Sequence, residues 1–437
     1  MDFEILYIHP KSQMMIREII PMSVPALVNY TGIKTLGRFY YEVTPAEIRH
    51  AKIILMDIHW YLSLPGAIKL AKKIRRINPQ VIIVAGGITA SVYAKQLTRL
   101  KTVDYVITGD AEEPLKQLVT NLLQNKPVRH LSNLVHREFH NPRAFIVTTE
   151  ILDKLEYNNI DFFPTLKKRV LRYHKIAGKR PVNTQPVILP FKGCGLYCTE
   201  CLGAPKLQKL MFGRAFVAKS PQRIRQELET LSADPAYTYV NLYLDIVCLT
   251  DPEYWRQIFN QKYRLNIFYS FAALPTEDGL KAIAESFIGG RLIFSLDKYH
   301  TTSRNLLEID DLIARIKQAQ QYKEYTSFIS YSYRYALEDE RYDAAIKRVV
   351  KETGAISADA SFWWSEVPVM DASGFGSDAD FERYARNKGQ KYFFLNQASR
   401  IAYALQSIAP NLINGLIDRM LPFWYKLINK VDYKLSR

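Results

Sequence analysis

The chain has 437 residues, 48% hydrophobic and 23% charged, the balance of an ordinary globular protein with room for two or three domains. No apolar run is long enough to span a bilayer, and the acidic first residues do not resemble an export signal, so we expect a cytoplasmic protein. The formal net charge of +16 comes from Lys and Arg residues scattered without a recognition motif, which argues against a nucleic-acid partner.

Short apolar segments alternate with helical patterns in the N-terminal part of the chain. Strands are predicted at residues 5–8, 53–56, 81–84 and 105–107. Two amphipathic helices follow the second and fourth strands, and their apolar faces comprise Ala67, Leu70, Ala71 and Ile74, and Leu115, Leu118, Val119 and Leu122. Alternating strands and helices indicate a parallel sheet covered on both faces. Residues 1–128 are therefore predicted to form a doubly wound, Rossmann-like domain in an α/β protein.

The pattern changes twice more along the chain. It weakens over residues 129–185, which we interpret as a linker. It resumes over residues 186–370, where strands predicted at 187–189, 239–244, 266–269, 292–296 and 327–331 indicate a second α/β unit, a partial (β/α) barrel. Residues 371–437 carry only helical signals. This basic C-terminal region is predicted to cap the barrel or, alternatively, to lie on a membrane surface.

Three of the four cysteines fall within eight residues, directly after the strand predicted at 187–189. They are Cys194, Cys198 and Cys201. Soft thiolates bind zinc or iron–sulfur clusters, and a structural zinc site needs four ligands, usually supplied as two pairs. Three thiolates on a cubane cluster leave one iron open, which is typical of a catalytic metal centre. The spacing therefore favours a 4Fe–4S cluster with an open iron.

The arrangement Cys-x-x-x-Cys-x-x-Cys after the first strand of a barrel-like domain resembles the signature of the radical S-adenosylmethionine superfamily. Glu200 departs from it, because the family commonly has an aromatic residue before the last cysteine. The resemblance implies that S-adenosylmethionine binds the open iron. It also implies that an electron, supplied by an external donor such as flavodoxin or ferredoxin, cleaves it to a 5′-deoxyadenosyl radical.

The same resemblance points to further residues at the ends of the barrel strands. Asp245 is the candidate acceptor for the ammonium group of S-adenosylmethionine, with a helix cap as its alternative role. Ser295 and Asp297 are candidates for the ribose, and Arg304 for the methionyl carboxylate. Cys248 is the remaining thiol, interpreted mainly as a small apolar residue and alternatively as a catalytic hydrogen donor or acceptor.

In the N-terminal domain the strand predicted at 81–84 leads into Gly86, Gly87 and Thr89, a sequence that permits close backbone approach by a ligand. Together with the acidic turn at Asp110 and Glu112, this segment resembles the cobalamin-binding domain that precedes many radical S-adenosylmethionine modules. The resemblance implies that the first three residues line the nucleotide tail of cobalamin, whereas the acidic turn maintains the fold.

Two histidines partly match the motif that carries the cobalt ligand in many cobalamin proteins. They are His9, in Tyr-Ile-His-Pro, and His59, in Asp-Ile-His-Trp. Neither match is complete, and the second follows the wrong strand, so the sequence does not support a histidine ligand to cobalt.

These observations predict a cobalamin-type radical enzyme that methylates an unactivated carbon of a small-molecule or lipid substrate. One alternative is a radical rearrangement, dehydration or ring-forming enzyme whose N-terminal domain does not use cobalamin. Another is a non-catalytic iron–sulfur sensor. Peripheral membrane contact is a further possibility from the basic C-terminal region, and the sequence leaves the oligomeric state open.

Overall fold

The computed structural model describes residues 1–12, 20–60, 63–101, 103–177, 186–195, 205–296, 309–331 and 339–359. They form two compact units. The first contains Met1–Lys167 and Leu210–Gly213, and the second contains Lys168–Lys209 and the described residues from Arg214 onward. The helical region predicted at 371–437 lies outside the described residues.

The first unit is built on a seven-stranded sheet, formed by β1 (Ile5–His9), β2 (Thr35–Phe39), β3 (Ile53–Asp57), β4 (Ile82–Gly86), β5 (Tyr105–Ile107), β6 (Leu134–His136) and β7 (Phe139–His140). The spatial order is β2-β1-β3-β4-β5-β6-β7. Strands β1 to β5 are parallel, and β6 and β7 continue the sheet in antiparallel fashion. This order is that of a doubly wound fold, as predicted.

Helices cover this sheet because each presents an apolar face. In the N-terminal part of the chain they are α1 (Ser23–Thr31), α2 (Pro45–His50), α3 (Leu64–Ile77), α4 (Ile88–Val92), α5 (Ala94–Arg99), α6 (Glu112–Leu123) and α7 (Thr149–Leu152). The next helix, α8 (Pro164–Ala177), begins in the first unit and belongs to the second from Lys168 onward. The predicted face of α3 is buried, and on α6 all the predicted residues except Leu122 are buried. Helix α2 begins at a capping box in which Thr44 and Glu47 each bond the other's backbone N–H.

The first unit extends beyond the boundary predicted at residue 128. Strands β6 and β7 lie inside the segment predicted to be a linker, 129–185, and β6 pairs with β5 through Val106 and Val135. Strand β2 was also not predicted. Its Gly37 packs on the Phe163 ring, where an added Cβ would lie 2.7 Å from a ring carbon, so residues near 160 pack in the first unit.

The second unit contains a six-stranded parallel sheet and a short antiparallel ribbon. The strands are β8 (Val187–Ile188), β9 (Phe191–Gly193), β10 (Phe216–Ala218), β11 (Tyr239–Leu242), β12 (Tyr263–Phe271), β13 (Phe287–Ser295), β14 (Tyr325–Tyr331) and β15 (Ile356–Asp359). The sheet order is β15-β14-β13-β12-β11-β8, and β9 pairs with β10. Because chain order and spatial order coincide, right-handed crossovers place the helices on one face, as in a partial barrel.

The helices of this unit are α10 (Pro221–Ala233), α11 (Ile246–Leu249), α12 (Pro252–Arg256), α13 (Glu277–Ser286), α14 (Ile309–Gln320), α15 (Glu340–Thr353) and the first part of α9 (Pro205–Phe212), whose last residues belong to the first unit. Their apolar residues, such as Leu228, Ile283 and Ile316, join one core with Leu242, Ile267 and other sheet residues. Within the described ranges, no helix combines the length and the apolar character needed to cross a bilayer.

Candidate functional site

The ligand crevice of a doubly wound sheet lies at the carboxyl ends of its strands, where the strand order reverses. In the first unit this point lies between β1 and β3, because β2 lies on one side of β1 and β3, β4 and β5 on the other. Strand β1 ends at His9 and strand β3 ends at Asp57. These two side chains therefore meet at the switch point.

His9 and Asp57 form a buried polar cluster with Tyr7. The Tyr7 hydroxyl donates to Oδ1 of Asp57 at 2.6 Å, and Nδ1 of His9 lies 2.8 Å from the same oxygen. His9 is fully buried and Asp57 is 7% exposed. Within the described residues, Oδ2 of Asp57 is a buried oxygen without a hydrogen-bond partner. His9 is thus a buried residue that positions the Asp57 carboxylate.

Four hydrogen bonds hold the loop that follows β3 against the end of β4 and the start of α4. The N–H of Ile58 donates to the carbonyl of Gly86 at 2.7 Å, and the N–H of Ala90 donates to the carbonyl of Ile58 at 3.1 Å. The carbonyl of His59 accepts from both the N–H and the hydroxyl of Thr89, at 3.3 and 3.0 Å. Burial lowers the pKa of His59, although the Asp57 carboxylate acts in the opposite direction.

Thr89 therefore differs from its predicted role. It is fully buried, and its hydroxyl proton is directed to the His59 carbonyl rather than toward a ligand. Its action on any bound molecule would be indirect, through the position of the loop after β3.

Gly86 and Gly87, predicted together as cofactor-binding residues, have different surroundings. Gly87 has φ +108°, and a Cβ placed on it would lie 2.8 Å from the carbonyl of Ile58. Among the described residues, no atom lies within 4 Å of the corresponding position at Gly86. Gly87 is therefore required by the packing of the protein itself, whereas the space beside Gly86 allows a ligand to approach the end of β4.

Replacing Gly87 with Ala is expected to lower the free energy of unfolding by about 2–4 kcal/mol, because the new Cβ meets backbone atoms in a conformation that L-residues rarely adopt. Gly86→Ala is the matched control and should change it by less than about 1 kcal/mol. Chemical denaturation of the two variants measures both effects. Equal losses of unfolding free energy in the two variants would contradict the different roles given to Gly86 and Gly87.

The acidic turn after β5 is structural, as interpreted from the sequence. Asp110 is 2% exposed, and its Oδ2 accepts from the N–H of Val147 at 3.1 Å. Glu112, at the start of α6, is 1% exposed. The Asp110 carboxylate ties the turn after β5 to the segment that follows β7.

In the second unit, β9 and β10 pair on either side of the segment that carries the predicted cluster ligands. Gly193 has φ +85°, and an added Cβ would lie 2.0 Å from the carbonyl oxygen of Ala215, so only glycine fits directly before Cys194. Cys194 is partly exposed. Cys198 and Cys201 lie outside the described residues. Among the residues that are described, no group of three or more His, Cys, Asp or Glu side chains is arranged to hold a metal ion.

Asp245 ties together the carboxyl ends of β11 and β12. Its Oδ1 accepts from the hydroxyl of Tyr269 at 2.6 Å and from the N–H of Cys248 at 3.0 Å, and its Oδ2 accepts from the N–H of Ala272 at 2.6 Å. The side chain is fully buried. Burial, together with this carboxylate, raises the pKa of Tyr269 well above its usual range. Of its two predicted roles, the structure gives Asp245 the helix cap, at the N-terminus of α11.

Leu244, directly before Asp245, is a feature that sequence reasoning missed. Its φ is +83°, a conformation uncommon for any residue except glycine and costly for a branched, bulky one. Strained residues of this kind concentrate at functional sites. No sequence signal identifies it, because leucine is the last residue type expected in this conformation.

Two further candidates, Cys248 and Ser295, lie at ends of strands or loops of the same sheet. Cys248 is partly exposed, and its thiol donates to the carbonyl of Ala273 at 3.4 Å, beyond the end of β12. Ser295 is the last residue of β13 and is 6% exposed, in register with Ser330 of β14. Asp297 and Arg304 lie outside the described residues.

The chain is similar to one known domain family and to several solved structures. Residues 43–119 match the family model of the B12 binding domain. The structure of the radical S-adenosylmethionine methyltransferase TsrM from Kitasatospora setae, with tryptophan substrate and a SAM analog bound, is similar. It has a TM-score of 0.54 and 13% identity over 75% of this chain and 67% of that one. A second TsrM structure, with cobalamin and a [4Fe-4S] cluster bound, has a TM-score of 0.52 and 13% identity over 75% of this chain and 68% of that one.

The cobalamin-dependent S-adenosylmethionine radical enzyme OxsB, with aqua-cobalamin and S-adenosylmethionine bound, has a TM-score of 0.55 and 11% identity. The match covers 89% of this chain and 62% of OxsB. A search of curated protein sequences gave no match. At these identities the structural likeness establishes the fold. The predicted fold of the described residues, an α/β protein with a doubly wound, Rossmann-like domain followed by a partial (β/α) barrel, is confirmed.

Proposed function

From the B12-binding match over residues 43–119 and the fold shared with cobalamin-dependent radical enzymes, we propose that this chain is such an enzyme and methylates an unactivated carbon. The observation that carries the proposal is the presence of two candidate sites in one chain. One is a doubly wound sheet with an open position at Gly86, and the other is a three-cysteine loop at the start of a partial barrel.

The residues present fit the groups that this function requires. Cys194, Cys198 and Cys201 would hold a 4Fe–4S cluster that has an open iron for S-adenosylmethionine, and the crevice at the ends of β1, β3 and β4 would hold cobalamin. When bound, these groups supply a radical that takes hydrogen from the substrate and a methyl group for the carbon radical that results.

The chain itself contributes position and rigidity. The Asp245 carboxylate, through its three internal hydrogen bonds, fixes the loops after β11 and β12 on which the barrel edge depends. The hydrogen bonds that the loop after β3 makes with Gly86, Thr89 and Ala90 fix the edge of the first sheet. Such preorganised edges are what cofactor chemistry requires of a protein.

The partners that follow from this function are an external electron donor such as flavodoxin or ferredoxin and a small-molecule or lipid substrate. Peripheral membrane contact through the basic C-terminal residues is part of the same proposal. These residues lie outside the described part of the chain.

The proposal is tested with protein purified without oxygen from cells supplied with cobalamin, reduced with dithionite and mixed with methyl-labelled S-adenosylmethionine. We expect 5′-deoxyadenosine and labelled methylcobalamin, both measured by mass spectrometry. Formation of 5′-deoxyadenosine in protein that takes up no cobalamin would retain the radical enzyme and remove the methylase. Formation of neither product would contradict the proposal.

A further inference from the structure

The segment that contains the three-cysteine loop has a strong excess of positive charge. Residues 190–226 contain seven basic residues and one acidic residue, Glu200, whereas the whole chain has 59 Lys and Arg against 43 Asp and Glu. The basic residues are Lys192, Lys206, Lys209, Arg214, Lys219, Arg223 and Arg225. A local excess of one sign, where it lies at the surface, attracts a partner of the opposite charge.

Three of these cations are paired with carboxylates of α10. The Lys219 side chain is fully buried, and its ammonium group pairs with the Glu227 carboxylate. Arg223 pairs with the same carboxylate at 3.0 Å, and Arg225 lies 3.6 Å from Glu229. The charge of these three residues is therefore largely neutralised within the second unit.

Three other cations lie beside the ribbon of β9 and β10. Nη1 of Arg214 donates to the carbonyl of Lys192, on β9, and to Oε1 of Gln208, both at 3.1 Å. Lys209, the next residue of α9, is exposed, and Lys192 and Arg214 are partly exposed. Positive charge is therefore presented to solvent on both sides of the segment that carries the predicted cluster ligands.

An exposed aromatic ring lies on the same ribbon. Phe216 of β10 is in register with Gly193, the residue directly before Cys194. Its side chain is 37% exposed, and its ring centroid lies 4.9 Å from that of the buried Phe191. An apolar centre with a charged rim is the usual composition of a protein contact surface. We call Lys192, Lys209, Arg214 and Phe216 the ribbon surface.

The proposed function requires an electron carrier close to Cys194. Each cleavage of S-adenosylmethionine uses one electron, so the carrier is oxidised by one electron for every sulfonium that is reduced. The C–S bond that breaks gives methionine and the 5′-deoxyadenosyl radical. A carrier that contacts the ribbon surface lies beside the loop that begins at Cys194, which is itself partly exposed.

We infer that the ribbon surface is the docking site of an acidic electron-carrier protein of the flavodoxin type. This inference rests on the proposed function. Charge complementarity supports it, because opposite charges accelerate the encounter of two proteins without making the contact permanent. The oxidised carrier can therefore leave and be replaced by a reduced one.

The binding test uses the full-length protein, loaded with its cluster and cobalamin, and an oxidised flavodoxin of net negative charge. Lys192→Glu and Lys209→Glu should each raise the Kd about tenfold at low salt, because a cation that faces the acidic partner becomes an anion. For the wild-type protein the Kd should rise steeply between about 10 and about 150 mM salt, as the Debye length falls from about 30 to about 8 Å. Isothermal titration calorimetry measures these values.

Lys281→Glu is the matched control, since Lys281 is exposed on α13 of the same unit, 3.9 Å from Glu285. It should leave the Kd for flavodoxin unchanged. A Kd that responds neither to salt nor to the two ribbon lysines would overturn the inference. So would binding of phosphatidylglycerol vesicles that depends on these lysines in a protein that does not bind flavodoxin, because the ribbon surface would then face a membrane.

A second measurement separates docking from damage to the cluster. Dithionite is a small reductant that needs no docking site, so Lys192→Glu and Lys209→Glu should form 5′-deoxyadenosine with it at the wild-type rate. With reduced flavodoxin below its Kd, the rate should fall about tenfold, in proportion to the lost binding. Equal losses with both reductants would overturn the inference and leave the radical enzyme intact. A wild-type protein that forms no 5′-deoxyadenosine with dithionite would overturn the proposed function as well.

Discussion

Replacing Cys194 with Ala is expected to remove the iron from the protein and, with it, the cleavage of S-adenosylmethionine. Three thiolates are the smallest set that holds a cubane cluster while leaving one iron open, so two thiolates should not retain it. The activity should fall by more than the roughly 10- to 100-fold that follows the loss of an outer partner of a metal ligand. Iron analysis and the yield of 5′-deoxyadenosine measure the effect.

Cys248→Ala is the matched control, because it removes the fourth cysteine of the chain. The Cys248 thiol donates to a backbone carbonyl, so its loss should cost about 1 kcal/mol of stability and no iron. If Cys248→Ala lost as much iron as Cys194→Ala, the fourth cysteine would be a cluster ligand. The cluster would then have no open iron for S-adenosylmethionine.

The second large effect is expected at Asp245. Asp245→Ala leaves three donors without an acceptor: the buried Tyr269 hydroxyl, the buried N–H of Ala272 and the partly buried N–H of Cys248. Each unsatisfied buried donor costs about 1–3 kcal/mol and a lost helix cap about 1 kcal/mol, so the free energy of unfolding should fall by about 3–7 kcal/mol. Chemical denaturation, followed by the fluorescence of the second unit, measures this loss without S-adenosylmethionine present.

Asp251→Ala provides the comparison, since Asp251 caps the next helix, α12, with one hydrogen bond and lies exposed. It should cost about 1 kcal/mol. If Asp245→Ala were as mild as Asp251→Ala while weakening S-adenosylmethionine binding, Asp245 would be a ligand-binding residue and its structural role would be secondary.

The fold was largely predictable where burial is complete. Strands β1, β3, β4 and β5 are continuous apolar runs, because both faces of the sheet are covered, and such runs are visible in the sequence. Strand β2 was missed because Gly37 and Arg38 interrupt its apolar pattern. Strands β6 and β7 are too short to show any period, and they are held by pairing with β5 rather than by local preference.

The cluster site at the three cysteines rests on their spacing alone and stays a prediction, because Cys198 and Cys201 lie outside the described residues. Elsewhere the candidate site was not predictable, because the role of a residue there depends on contacts with segments distant in sequence. Gly86 and Gly87 are identical residues in sequence, and only the path of the loop after β3 separates the open position from the filled one. Thr89 was predicted to line a ligand, and Asp245 either to bind one or to cap a helix; each also bonds a group of the protein distant in sequence, the His59 carbonyl for Thr89 and the Ala272 N–H for Asp245.

The most direct test of the account is the metal content and visible absorption of protein purified without oxygen from cells supplied with cobalamin. The account predicts about four irons per chain together with bound cobalamin, and loss of the iron alone in Cys198→Ala. Iron without cobalamin would remove the methylase and keep the radical enzyme. A wild-type protein without iron would contradict the central claim.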